Sequence, residues 1–145
     1  EDEIATAILT LIEQHKMIAE GAGAVPVAAA LYGKLPIEGK KVVCVISGGN
    51  IDVTSLSRVI NRGLMKSGRT ATLRIELMDK PGMLKDVTNI IAECGGNVTA
   101  VYHDRGRSEN LNECILRIAL ETRNYDHIEQ ILAALRNAGI QVELD

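Results

Sequence analysis

Phenylalanine and tryptophan are absent from this chain, and its aromatic content of 2% consists of three tyrosines. A core must therefore be built from Ile, Leu, Val, Ala and Met, and the platforms on which single-stranded nucleic acids stack are missing. An excess of positive charge is missing too. The formal net charge of -3 gives no electrostatic basis for binding nucleic acid or an anionic membrane surface. No apolar run approaches the ~18 residues of a membrane span, and no basic-then-apolar signal segment opens the chain. Neither nucleic acid nor membrane is expected as a partner, and the expected setting is the cytoplasm. Cysteine is sparse and scattered. Cys44, Cys94 and Cys114 lie in apolar stretches without the close pairing of zinc ligands, so no metal and no disulfide are expected. A starting methionine is also lacking, and the expectation is a piece cut from a longer protein.

The apolar residues that are present, 46% of the chain, fall into periodic segments. EDEIATAILTLIEQHK places Ile4, Ile8, Leu11 and Ile12 on one helical face, predicting a helix from residue 3 to about 16. Alanine-rich GAGAVPVAAALYGK predicts a second, buried helix near 22–33, whose small side chains suit close packing. KVVCVISGGN, residues 41–50, predicts a strand over 41–46 covered on both faces. It stops at Ser47-Gly48-Gly49-Asn50. In an open α/β sheet such a strand end is where ligands bind, and glycines let backbone approach closely; the plainer alternative is an ordinary strand-to-helix turn. Asp52 then caps a helix with Val53, Leu56, Val59, Ile60 and Leu64 at its apolar positions.

A polar stretch follows, and beyond it the texture changes. The expected organisation is a first region over 1–66, a linker over 67–69 and a second domain over 70–145. In the second, TATLRIELMD alternates as a strand. PGMLKDVTNIIAEC is a helix with Met83, Val87, Ile90, Ile91 and Cys94 inward, stopped by Gly95-Gly96. NVTAVYHD is a second strand, residues 104–112 a polar hairpin loop, and ECILRIALET a third strand. NYDHIEQILAALRNAG is a helix with Tyr125, Ile128, Ile131, Leu132 and Leu135 inward, and IQVEL is the last strand. LRIEL at 73–77 recurs as LRIAL at 116–120. The order βαββαβ predicts a ferredoxin-like unit of four antiparallel strands with two helices on one face, an architecture that many functions share.

These segments carry a resemblance. AEGAGAVPVAAALYGK followed by KKVVCVISGGNIDVTSL is similar to the C-terminal end of the catalytic domain of threonine dehydratases, which are fold-type II pyridoxal-phosphate enzymes. Residues 70–145 resemble an ACT domain, the small-molecule sensor attached to many enzymes of amino-acid metabolism. The resemblance implies an α/β chain in which a remnant of the catalytic domain precedes the ACT domain. One departure is Gly21, where relatives often carry proline after the glutamate. The resemblance implies that Ser47 faces the pyridine nitrogen of the cofactor, with Gly48, Gly49 and Glu20 around the same pocket. A neutral hydroxyl there makes the cofactor a weaker electron sink than a carboxylate would, which suits β-elimination. The Schiff-base lysine of the family lies far upstream of these motifs. Lys16, Lys34, Lys40 and Lys41 have ordinary solvated contexts, and His15, His103 and His127 show no nucleophile or metal spacing. No catalytic residue is assigned, and pyridoxal phosphate is expected in the full-length parent but not on this fragment. The parent would deaminate L-threonine, or serine.

The sensing chemistry is legible in Met78-Asp79-Lys80-Pro81-Gly82-Met83-Leu84. Proline suits a helix start. The N–H groups of Gly82, Met83 and Leu84, at the positive end of the helix dipole, offer a site for a carboxylate, and Asp79 offers one for an ammonium group. In the ACT family ligands commonly bind where this loop meets the second strand of a neighbouring copy, and Asn97 occupies that strand's start. The alternative is that Asp79 caps the helix and Asn97 finishes a glycine stop. The expected ligand is a free amino acid, isoleucine or valine foremost. A homo-oligomer through the 70–145 domain is expected because a lone four-stranded sheet exposes its edges. The competing reading is a stand-alone amino-acid-binding module whose first 66 residues are a dimerisation appendage.

Overall fold

The structure, a computed structural model, describes residues 1–105 and 112–145; residues 106–111 of the expected polar loop lie outside the described residues. The chain divides into two compact units, Glu1–Ser67 and Gly68–Asp145.

The first unit is made of helices and irregular chain. Helix α1 (Asp2–Thr10) runs into one π-helical turn (Leu11–His15), which Lys16 ends in the left-handed region at φ 58°. Helices α2 (Gly21–Leu31) and α3 (Val53–Lys66) follow. Ala7, Ile8, Leu11, Ala19, Ala24 and Ala28 form the core, with Ile4, Ile46, Leu56 and Val59 packed on it. Its alanines let α1 and α2 approach closely, as the small side chains of α2 require. Asp52 caps α3 by accepting a hydrogen bond from the Ser55 N–H at 2.9 Å. Lys66 (2.9 Å) and Arg62, both on α3, reach the Asp2 carboxylate at the start of α1.

The strand expected over 41–46 does not form; residues 41–50 carry no regular structure, and Val43 and Val45 are 89% and 69% exposed. The physical reason is pairing. A strand buried on both faces is held by ladders to neighbouring strands, and among the described residues the first unit holds no other strand. Ile46 still reaches the helical core, and the Cys44 thiol donates to the Pro26 carbonyl at 3.7 Å.

The second unit has the ferredoxin-like order. Strand β1 (Thr70–Met78), helix α4 (Met83–Glu93), strands β2 (Asn97–Asp104) and β3 (Glu113–Glu121), helix α5 (Tyr125–Asn137) and strand β4 (Gln141–Leu144) build one antiparallel sheet in the order β2-β3-β1-β4. Alternation aims Ala71, Leu73, Ile75 and Leu77 of β1 at the helices, opposite Leu120, Ile118, Leu116 and Cys114 of β3. Val87 and Ile91 of α4 and Ile128, Ile131, Leu132 and Leu135 of α5 complete the core.

The two repeated segments are the paired central strands, which sets Arg74 directly opposite Arg117. Like charges opposed across a ladder repel. Here each has its own acid: Arg74 bonds Glu76 and Glu143, each at 2.5 Å, and Arg117 lies 3.4 Å from Asp145.

One position of α5 departs from expectation. Tyr125 is 52% exposed, and His127, only 3% exposed, points inward. Its Nδ1 accepts the Arg123 N–H at 3.1 Å, and its Nε2 donates to the Cys94 carbonyl at 2.9 Å. The ring thereby stitches the start of α5 to the end of α4, beside an N-cap in which Asn124 accepts the His127 N–H at 2.9 Å.

Candidate ligand pocket at the end of the sheet

Strand β1 ends at Met78, and the chain must turn sharply to start α4. Asp79 anchors the turn by donating its N–H to the Asn112 carbonyl at 2.8 Å, and Lys80 donates to Met78 at 3.0 Å. Pro81 supplies its fixed φ, and Gly82 takes φ 99°, a conformation that a side chain resists. The Gly82 carbonyl then accepts the first helical bond, from Asp86 at 3.0 Å.

A cavity of about 340 Å³ opens on this turn. Its lining includes Asp79, Gly82, Met83 and Leu84, so four of the five residues expected to hold an effector border one space. Met78 and Leu84 are exposed, while Met83 also packs on the core. Of the three amides expected to receive a carboxylate, Met83 already donates to the Lys80 carbonyl at a long 3.4 Å. Those of Gly82 and Leu84 have no acceptor among the described residues, as the first turn of a helix leaves them.

Asn97 is elsewhere within the chain. It begins β2, whose other end comes to the pocket; seven steps of ~3.3 Å separate Asn97 from Asp104. Its Nδ2 donates to Glu121 Oε2 at 2.8 Å.

Three cavity residues escaped the sequence reading. Arg105 Nε sits 2.7 Å from Asp79 Oδ2, and its Nη2 lies 3.3 Å from Oδ1. His103 Nε2 is 3.7 Å from the same Oδ1. Cys114, 1% exposed, forms the floor. Burial pushes its thiol pKa up, the Asp79 charge adds to that rise and Arg105 opposes it. Sheet register, which the sequence does not print, is what sets them there: β2 shifts register between Val98 and Ala100, His103 then pairs with Leu116, and Cys114 pairs with Leu77.

In the first unit, the residues singled out around Ser47 do come together. The Glu20 N–H donates to the Gly48 carbonyl at 3.2 Å. A Cβ at Gly23 would stand 1.9 Å from the Ser47 carbonyl oxygen, and one at Gly48 (φ 76°) would stand 2.4 Å from Glu20 Oε1. Glycine is thus required for the start of α2 and the Ser47–Gly49 segment to touch. The Ser47 side of this contact is exposed.

Residues 65–139 match the family model of the ACT domain. The chain belongs to the ACT-domain family. Across 145 residues, 99% of its length, this ACT-domain chain is 49% identical to an L-threonine ammonia-lyase of Thermotoga maritima and 43% identical to one of Geobacter sulfurreducens. It spans 36% of the length of each of these relatives. Among solved structures, prephenate dehydratase from Streptococcus mutans aligns with 53% of this chain and 41% of its own, at 23% identity and a TM-score of 0.46.

Proposed function

We propose that this chain is the amino-acid-sensing region of a threonine ammonia-lyase, whose whole polypeptide converts L-threonine to 2-oxobutanoate and ammonia. The observation that carries the reading is the 49% identity running through both units. The ligand is a free aliphatic amino acid, isoleucine or valine. Its carboxylate meets the N–H groups of Gly82 and Leu84, and that of Met83 exchanges its weak bond to Lys80 for the ligand. Its ammonium takes Asp79. The Arg105 side chain, 70% exposed, is then available to turn to the carboxylate. Met78, Met83 and Leu84 supply an apolar wall, with methionine adapting to the side chain's shape. Asn97 from a second copy closes the site, so binding depends on a homo-oligomer.

The Ser47 segment belongs to the parent's cofactor pocket. Ser47, Gly48, Gly49 and Glu20 would border pyridoxal phosphate, and the glycine-only contacts at Gly23 and Gly48 suit a wall held close to a flat ring. When bound, the cofactor supplies an electron sink for loss of the β-hydroxyl. The Ser47 hydroxyl holds no proton on the ring nitrogen, which keeps that sink weak. No residue of this chain is assigned a catalytic role.

Titration calorimetry with isoleucine, valine, threonine and serine tests the effector reading. The wild-type chain should bind isoleucine or valine, and Asp79→Ala and Asn97→Ala should each weaken binding at least about tenfold, the loss of one charge-assisted hydrogen bond. If the wild type ignores all four amino acids, the turn is a structural cap; if both variants bind as well as wild type, the pocket is elsewhere.

A further inference from the structure

We infer that Asp79, His103 and Cys114 form a binding site for a zinc-like divalent cation at the floor of the same cavity. The inference does not depend on the amino-acid reading. One carboxylate oxygen, one imidazole nitrogen and the Cys114 sulfur all lie within 4.8 Å of one another. Around a tetrahedral zinc, with bonds of ~2.0 Å to nitrogen and ~2.3 Å to sulfur, neighbouring ligand atoms stand roughly 3.3–3.6 Å apart. Closing the triad on an ion therefore asks for a contraction of at most about 1.5 Å, within the reach of side-chain rotation.

The chemistry of the three donors is selective. A thiolate with an imidazole suits zinc and disfavours the hard cations magnesium and calcium. Thiolate and carboxylate together bring two negative charges to match the ion's two positive ones. The Cys114 sulfur is buried and in no disulfide, so no covalent partner has to be displaced. Arg105 reaches both oxygens of Asp79, with Nε 2.7 Å from Oδ2 and Nη2 3.3 Å from Oδ1, the oxygen that also lies 3.7 Å from His103, so an ion on Oδ1 displaces the longer Arg105 bond. The remaining Arg105–Oδ2 pair then holds the ligating carboxylate, the kind of second interaction that supports a metal ligand. Three protein ligands leave a fourth position open to the cavity.

The ligands arrive from the ends of β1 and β2 and the start of β3, 24 and 11 residues apart in sequence, which is why no close-paired motif betrayed them. Sheet register supplies the convergence that sequence spacing does not. An ammonium group and the ion are alternative partners for Asp79, so the two ligands should compete.

Cobalt(II), a spectroscopic substitute for zinc, tests the site on the 145-residue chain. One equivalent per chain should produce a thiolate-to-cobalt charge-transfer band, and zinc should abolish it by displacement. Cys114→Ser should remove the band, and His103→Gln should weaken cobalt affinity at least about tenfold, the lower end of what losing even a ligand's supporting partner costs. Cys44→Ser and Cys94→Ser should retain wild-type binding. Because Cys114 is a core residue, the half-exposed His103 keeps the test open if the Cys114 variant unfolds: binding unchanged in His103→Gln overturns the proposal. So does a wild-type chain without the band, or a band that depends on Cys44 or Cys94.

Discussion

At the scale of single residues, α5 turns inward a histidine where the helical spacing pointed to Tyr125. His127 uses both ring nitrogens inside the second unit, one accepting from Arg123 and one donating to Cys94. Replacing it by alanine leaves the part-buried Arg123 N–H and Cys94 carbonyl without this partner and opens a void where the buried ring was. His127→Ala should therefore destabilise the chain by about 1–3 kcal/mol, seen as a lower urea midpoint; an unchanged midpoint would contradict the role given to the ring. Asp79 was legible because it stands one step from the end of a strand and ahead of Pro-Gly. His103 and Arg105 were not, because what they do depends on which segment lies opposite. A histidine ending a strand looks the same in sequence whether it faces solvent or a carboxylate.

At the scale of elements, periodicity carried the reading far. The alternation in β1 and the helical spacing in α4 are properties of segments that pack against each other, and each segment found the partner its pattern implies. The run Val42–Ile46 failed for the same reason in reverse. Its pattern implies strands on either side, and backbone groups without neighbours to bond have no reason to extend. Helix α3 is held by polar contacts that also fix a pH dependence. Hydrogen bonds from Lys66 and then Arg62 lower the Asp2 pKa, and the bond from Ser55 lowers that of Asp52. A carboxylate depressed in the folded state contributes stability above its unfolded pKa of about 3.9, and loses it as pH falls through the folded value. Both groups are exposed, so the effect is small. Thermal unfolding between pH 6 and pH 3 should show a midpoint that starts to fall near pH 4, with a shallower fall in Asp2→Asn. Equal slopes in the two chains would remove this account of α3.

At the scale of the whole molecule, the second unit presents a four-stranded sheet whose outer strands are β2 and β4. Unpaired edges favour addition of another copy, and the effector reading asks for one, since Asn97 lies at the far end of β2 from the pocket. Light scattering at micromolar concentration should therefore give a dimer or larger species; a monomer would leave the site without Asn97. The central claim is that the turn joining β1 to α4 receives the carboxylate of an aliphatic amino acid. Backbone amide NMR of the labelled 145-residue chain, titrated with isoleucine and valine, tests it most directly. The account predicts saturable shifts concentrated at the N–H groups of Gly82, Met83 and Leu84. Shifts confined to other parts of the chain, or none with either amino acid, would contradict it.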